Sequence, residues 1–104
     1  MLNKQFRNAF LRVGILHLLS KNDMYGYDLV AKIGDFFEVT SGSVYPILYK
    51  LSDEELVETY LQESSEGGAR KYYKLNKKGI KTFKEELKEW NGLIGKYQKF
   101  IQKK

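Results

Sequence analysis

Two stretches of the chain hold side chains suited to chemistry. Gly67-Gly68-Ala69-Arg70-Lys71 sets two cations directly after paired glycines. A flexible glycine backbone can approach an anion closely while the cations flank it. Ser41, Ser43, Tyr45, Tyr49 and Lys50 place hydroxyls, phenols and one ammonium along a segment of helical periodicity. Hydroxyls and free N–H groups at a helix start suit a phosphate, because unpaired donors and the positive end of the helix dipole coincide there. Tyrosine hydroxyls can add bonds to phosphates or base edges. The chemistry these residues offer is recognition of a polyanion.

Catalytic chemistry finds no support. His17 is the sole histidine and sits among Leu16, Leu18 and Leu19, a setting for a packed or partly exposed helix residue rather than a base. No cysteine is present, which excludes a thiolate zinc site and a disulfide framework. The densest acidic cluster, Asp53-Glu54-Glu55, suits the end of a helix better than a cation site. Gly67-Gly68 does not follow a strand and open a helix, as a dinucleotide or nucleoside-triphosphate loop requires. The expectation is a protein without catalytic residues, metal or cofactor.

Charge supports the polyanion. Residues 1–60 hold 6 Lys/Arg against 8 Asp/Glu, and residues 61–104 hold 12 against 5, so the net +5 divides into −2 and +7. A concentrated positive field draws nucleic acid first and an anionic membrane surface second; an ordinary solvated lysine-rich helix is the bland alternative. At 104 residues the chain fits one domain. Its 42% apolar and 14% aromatic shares are those of a folded, soluble protein. The absence of cysteine suits a reducing cytoplasm. The first residues do not read as a signal peptide, and no run approaches the roughly 20 apolar residues of a membrane span.

The elements that must position these residues can be read from periodicity. Phe6, Phe10, Val13, Leu16, Leu18 and Leu19 predict a first helix, which Ser20-Lys21-Asn22-Asp23 breaks. Tyr27, Val30, Ala31 and Ile33, with Phe36-Phe37, predict a second that starts near Met24-Tyr25-Gly26 and ends between Gly34 and Phe37. Thr40-Ser41-Gly42-Ser43 offers hydroxyl caps for a third, whose Val44, Ile47, Leu48 and Leu51 face inward; Pro46 lies early enough in it to be tolerated. Leu56–Gln62 and Arg70–Leu75, separated by Ser64-Ser65-Glu66-Gly67-Gly68, predict a two-stranded hairpin with an exposed tip. Asn76 caps a last helix in which Ile80, Phe83, Leu87, Trp90, Ile94, Tyr97 and Ile101 alternate at threes and fours, with Leu93 and Phe100 widening the stripe. Roughly 25 residues at 1.5 Å each make a rod of about 40 Å, longer than the body can cover. Leu87, Trp90, Ile94, Tyr97 and Ile101 are therefore expected to bury against a second copy of the chain. The fold class is α+β, mainly α: a winged helix-turn-helix of three helices and a two-stranded wing over 1–75, and a long C-terminal helix over 76–104, together one structural domain. In it the third helix, with Ser41, Ser43, Tyr45, Tyr49 and Lys50 outward, is the element that enters a major groove.

Met24-Tyr25-Gly26-Tyr27, Ser43-Val44-Tyr45-Pro46-Ile47-Leu48 and Glu66-Gly67-Gly68-Ala69-Arg70-Lys71-Tyr72-Tyr73-Lys74-Leu75, in this order, resemble the PadR family of bacterial transcriptional regulators, specifically its short subfamily with one helix after the wing. The resemblance implies a homodimer that binds an inverted-repeat operator in double-stranded DNA, usually as a repressor, with the last helix forming much of the interface. It implies DNA contacts at Tyr45, Arg70 and Lys71. Some short relatives hold a flat aromatic drug between subunits against a tryptophan whose place Trp90 occupies. The chain departs from the family in carrying Glu54-Glu55 where a glutamate-glycine pair is usual, and in the low charge of its third helix. Two other readings stay open: a winged-helix module that docks a protein through its aromatic surface without reading an operator, and a basic last helix lying on anionic lipid.

Overall fold

The computed structural model describes residues 3–103. Helix α1 (Lys4–Lys21) starts at Asn3, whose Oδ1 accepts the N–H groups of Gln5 at 2.9 Å and Phe6 at 3.3 Å. Its buried face is Leu11, Ile15, Leu16 and Leu19, whereas Phe6, placed on the inner face by periodicity, is 61% exposed. Apolar residues surround much of this helix, so spacing alone admits two phases; tertiary packing selects one.

Strand β1 (Met24–Tyr25) runs directly into helix α2 (Gly26–Gly34). Two residues are too few to show alternation, and this strand exists because it pairs antiparallel with a later one. The expected two-stranded wing is thus the larger part of a three-stranded sheet. In α2 the inward residues are Gly26, Leu29 and Ile33, and Tyr27, read as part of the apolar face, is 67% exposed.

Helix α3 (Ser41–Asp53) buries Val44, Ile47, Leu48 and Leu51 as its spacing predicts, and continues through Pro46. Thr40 stands at the N-cap, but its side chain accepts no hydrogen bond from the first turn. The far end closes with crossed bonds, Leu56 N–H to the Leu51 carbonyl at 3.0 Å and Glu55 N–H to the Ser52 carbonyl at 2.9 Å. This closure requires a left-handed residue, and Glu55 supplies it at φ 60°, the sole non-glycine with positive φ among the described residues. The glutamate pair therefore preserves the turn, at a conformational cost that glycine lacks. Glu55→Gly is expected to stabilise the fold by about 1 kcal/mol and raise Tm by roughly 5 °C. A thermal melt with unchanged or lower Tm would show that the Glu55 side chain compensates for its backbone.

Strands β2 (Val57–Glu63) and β3 (Ala69–Leu75) pair antiparallel from Val57↔Leu75 to Glu63↔Ala69, and β3 lies between β1 and β2. At the tip Gly67 and Gly68 adopt φ 97° and 71°, a left-handed pair that glycine adopts without strain. Helix α4 (Lys77–Gln102) begins at Asn76, whose Oδ1 accepts the Gly79 N–H at 2.8 Å. The core gathers α1, α2, α3, the base of the sheet and Phe83 of α4. Past Leu87 the α4 stripe leaves the body: Leu93, Ile94, Tyr97, Phe100 and Ile101 are all exposed, and the molecule is 59 Å long. Three helices, a β wing and a projecting last helix make a winged helix-turn-helix with an appended rod.

Candidate nucleic-acid interface

The outer side of α3 presents Ser41, Tyr49 and Lys50 to solvent, with Ser43 and Tyr45 half-buried. Tyr45 is held from below. A β-carbon on Gly26 would fall 2.6 Å from Cζ and 2.7 Å from Cε1 of its ring, so the absence of a side chain at Gly26 is what lets the ring lie there. The Tyr25-Gly26-Tyr27 and Tyr45-Pro46 stretches, separate in sequence, form one contact. The Tyr49 ring follows at 6.5 Å. Beneath them Tyr73 of β3 is buried, and burial pushes its phenol above the ordinary tyrosine range, with the Tyr45 and Tyr49 phenols adding to the effect. Tyr45 and Tyr49 thus stand over the inner face of the wing.

The wing turns Arg70 and Lys71 to opposite faces. Successive residues of a strand face opposite ways, so Arg70 and Tyr72 lie on one face of β3 and Lys71 and Tyr73 on the other. Lys71 is exposed on the α3 side, its Nζ 5.6 Å from the Tyr73 ring centre. The Arg70 guanidinium lies on the outer face, 4.6 Å from the Tyr25 ring centre and 3.4 Å from Glu66 Oε2. It belongs to an aromatic series: Tyr72 is 5.8 Å from Tyr25 and 5.5 Å from Tyr60. The Tyr60 hydroxyl donates to Asp23 Oδ2 at 2.7 Å, and that bond raises the Tyr60 pKa. Of the expected polyanion contacts, Ser41, Ser43, Tyr45, Tyr49, Lys50 and Lys71 belong to α3 and the wing face beside it; Gly67 and Gly68 are exposed at the tip, and Arg70 is turned away. Alternation along β3 is the sequence signal that separates Arg70 from Lys71.

Behind α3 lies a group that sequence reasoning missed. Arg12 of α1 donates from Nη1 and Nη2 to Glu54 at 2.6 and 3.0 Å, and from Nε and Nη2 to Glu86 at 2.8 and 2.9 Å. The Arg12 bonds hold the Glu54 carboxyl below the usual carboxylate range, so it stays ionised at neutral pH. No local motif marks a contact spanning 42 and 74 residues.

The expected interface residues divide along α4: Leu87 and Trp90 are half-buried, and Ile94, Tyr97 and Ile101 are exposed. Trp90 borders an open groove of about 850 Å³ between α1 and α4, lined also by Ala9, Arg12, Val13, Glu86 and Leu93.

Comparison with known proteins gives a consistent result. A family model described as the transcriptional regulator PadR-like family matches residues 15–85. A negative transcriptional regulator PadR from Bacillus subtilis (strain 168) is 31% identical over 84 residues, covering 77% of this chain and 44% of that protein, so the chain spans under half of that relative. The crystal structure of a PadR-like transcriptional regulator from Bacillus cereus strain ATCC 14579 superposes with a TM-score of 0.85 at 32% identity, covering 96% of this chain and 99% of that one. A PadR family transcription regulator from Clostridium difficile R20291 gives 0.80 at 26% identity, covering 88% and 98%.

Proposed function

The chain belongs to the PadR-like family of transcriptional regulators, which are not enzymes, and on that footing we propose that it is a homodimeric repressor that binds an inverted-repeat operator. The observation that carries this reading is the pairing of an outward polar face on α3 with Lys71 on the adjoining wing face. Residues 1–75 form the DNA-binding domain and 76–104 the dimerisation helix. Two copies of α3 enter successive major grooves about 34 Å apart, one helical turn of duplex. Ser41, Ser43 and Lys50 meet phosphates, Tyr45 and Tyr49 reach phosphates or base edges, and the wings hold the flanking backbone. An occupied promoter then excludes polymerase, in the cytoplasm. A flat aromatic ligand against Trp90 relieves repression by favouring a subunit arrangement that mismatches the half-sites, which requires different affinities for the two arrangements.

The α3 face carries one full positive charge, so wing cations weigh heavily in phosphate affinity. Lys71→Ala is expected to weaken binding to all duplexes alike and to reduce the salt slope by about one for each phosphate left without its cation. Arg70→Ala is expected to do less, because its guanidinium is engaged by Tyr25 and Glu66. Mobility-shift titrations at several salt concentrations test both; Lys71→Ala with unchanged affinity and slope would remove the wing from the interface.

One observation favours a second reading. The outer face of the sheet, with Tyr25, Tyr27, Tyr60 and Tyr72 around Arg70, is the aromatic surface that a protein-docking module would use. Absent or salt-insensitive DNA binding would support that reading over the first.

A further inference from the structure

We propose that Arg12 is a positioning residue that fixes the angle between α3 and α4, and so sets the half-site spacing that the dimer accepts. The inference rests on the dimeric operator reading above.

α3 is tied to α4 at two places. The first is at the start of α4: Lys78 Nζ donates to the Glu54 carbonyl at 3.0 Å, and Asn76 Nδ2 to the Glu55 carbonyl at 2.7 Å. The second is Arg12, whose planar guanidinium makes four hydrogen bonds to two carboxylates, Glu54 at the end of α3 and Glu86 within α4. A planar fork that binds both carboxylates in this way holds their relative orientation, which a lysine ammonium cannot do. Lys78 and Glu86 lie about 12 Å apart along α4 at 1.5 Å per residue. Beside these ties Phe83 and Leu87 seat α4 on the core through contacts that carry no directional bonds; the Arg12 fork adds the directional hold that sets the angle of α4 to the end of α3.

The consequence lies at the far end of α4, where the exposed stripe continues to Ile101. About 35 Å from Lys78, a pivot of roughly 5° displaces the helix by about 3 Å. That approaches the 3.4 Å rise of one base pair. Small changes at Arg12 therefore register as changes in operator spacing. Arg12 and Glu86 also line the groove beside Trp90, so an occupant of the groove meets the tie directly.

The test uses the full chain. Wild-type protein first selects paired repeats from a randomised duplex library. Affinities are then measured for the selected spacing, for spacers one base pair longer and shorter, and for a single half-site. Arg12→Lys, Glu54→Gln, Glu86→Gln and the double glutamine variant are compared, with thermal melts to confirm folding. Arg12→Lys is expected to lower the preference for the selected spacer by about tenfold while half-site affinity stays within about twofold. The double glutamine variant should do no more than the stronger of the two single glutamine variants, since both glutamates act through one guanidinium. Folded variants that keep the wild-type spacer preference, or that bind every duplex equally more weakly, the half-site included, overturn the inference. A wild-type protein that selects no paired repeat overturns the operator reading before any variant is measured, and the inference with it.

Discussion

Ile94→Glu is expected to yield a folded monomer whose operator affinity is at least about a hundredfold below that of the parent. Ile94 is 41% exposed and lies on α4 past the last residue that the body buries. A carboxylate there meets water in the single chain, so the body should melt much as before. In a dimer seamed along the exposed stripe the same carboxylate would be drawn out of water, and burying a charge among apolar side chains costs several kcal/mol. On the proposed dimeric reading, dissociation would remove the second half-site from reach, which would otherwise bind at the high effective concentration set by the first. Light scattering behind size exclusion reads the mass, and a mobility-shift titration reads the affinity. A dimer that survives Ile94→Glu would place the interface elsewhere and leave the exposed stripe for another partner. Leu87→Glu would be a poor substitute, because Leu87 also packs against the core.

How far this architecture is legible in the sequence depends on how local its causes are. The inward stripe of α3 is readable because Val44, Ile47, Leu48 and Leu51 recur cleanly and the opposite side is polar. The hairpin is readable because its tip needs glycine and its arms are rich in β-branched and aromatic residues. The phase of α1 is not, since apolar residues there outnumber the positions that one face can hold and long-range packing decides among them. Strand β1 is not, because its two residues are strand only by virtue of Tyr72 and Tyr73 beside them. In the candidate site the residue types are legible and their directions less so. Arg70 and Lys71, adjacent in sequence, read as one basic tip; the period of two along β3 turns them to opposite faces. Arg12, Glu54 and Glu86 look like surface charges in sequence, and their meeting follows only once three helices are folded together.

The two buried glycines differ in what they face, and that difference sets the second large expected effect. Replacing a helical glycine by alanine ordinarily stabilises by about 0.5–1 kcal/mol, through lower chain entropy in the unfolded state. At Gly79, in the first turn of α4, the sign should reverse. An added β-carbon would collide with the Leu56 carbonyl oxygen and come within 2.7 Å of Leu75 Cδ1. The leucine can rotate, but the carbonyl cannot readily withdraw: it belongs to the turn between α3 and β2 and accepts the Asn76 N–H at 3.1 Å. Relief requires α4 to lift from that turn, breaking the Lys78 and Asn76 bonds to the carbonyls of Glu54 and Glu55. Gly79→Ala is expected to cost about 3 kcal/mol, the upper end for overpacking, and to lower Tm by about 10 °C or more. At Gly26 the obstacle is the far end of the Tyr45 side chain, which can swing away, so alanine there should disturb α3's outer face before it disturbs stability. Melts of Gly79→Ala and its parent at one protein concentration decide the matter, since the melting of any self-associating protein depends on concentration. A Tm at or above the parent's would mean that α4 is not pressed against the turn, and that α3 is free of the projecting α4.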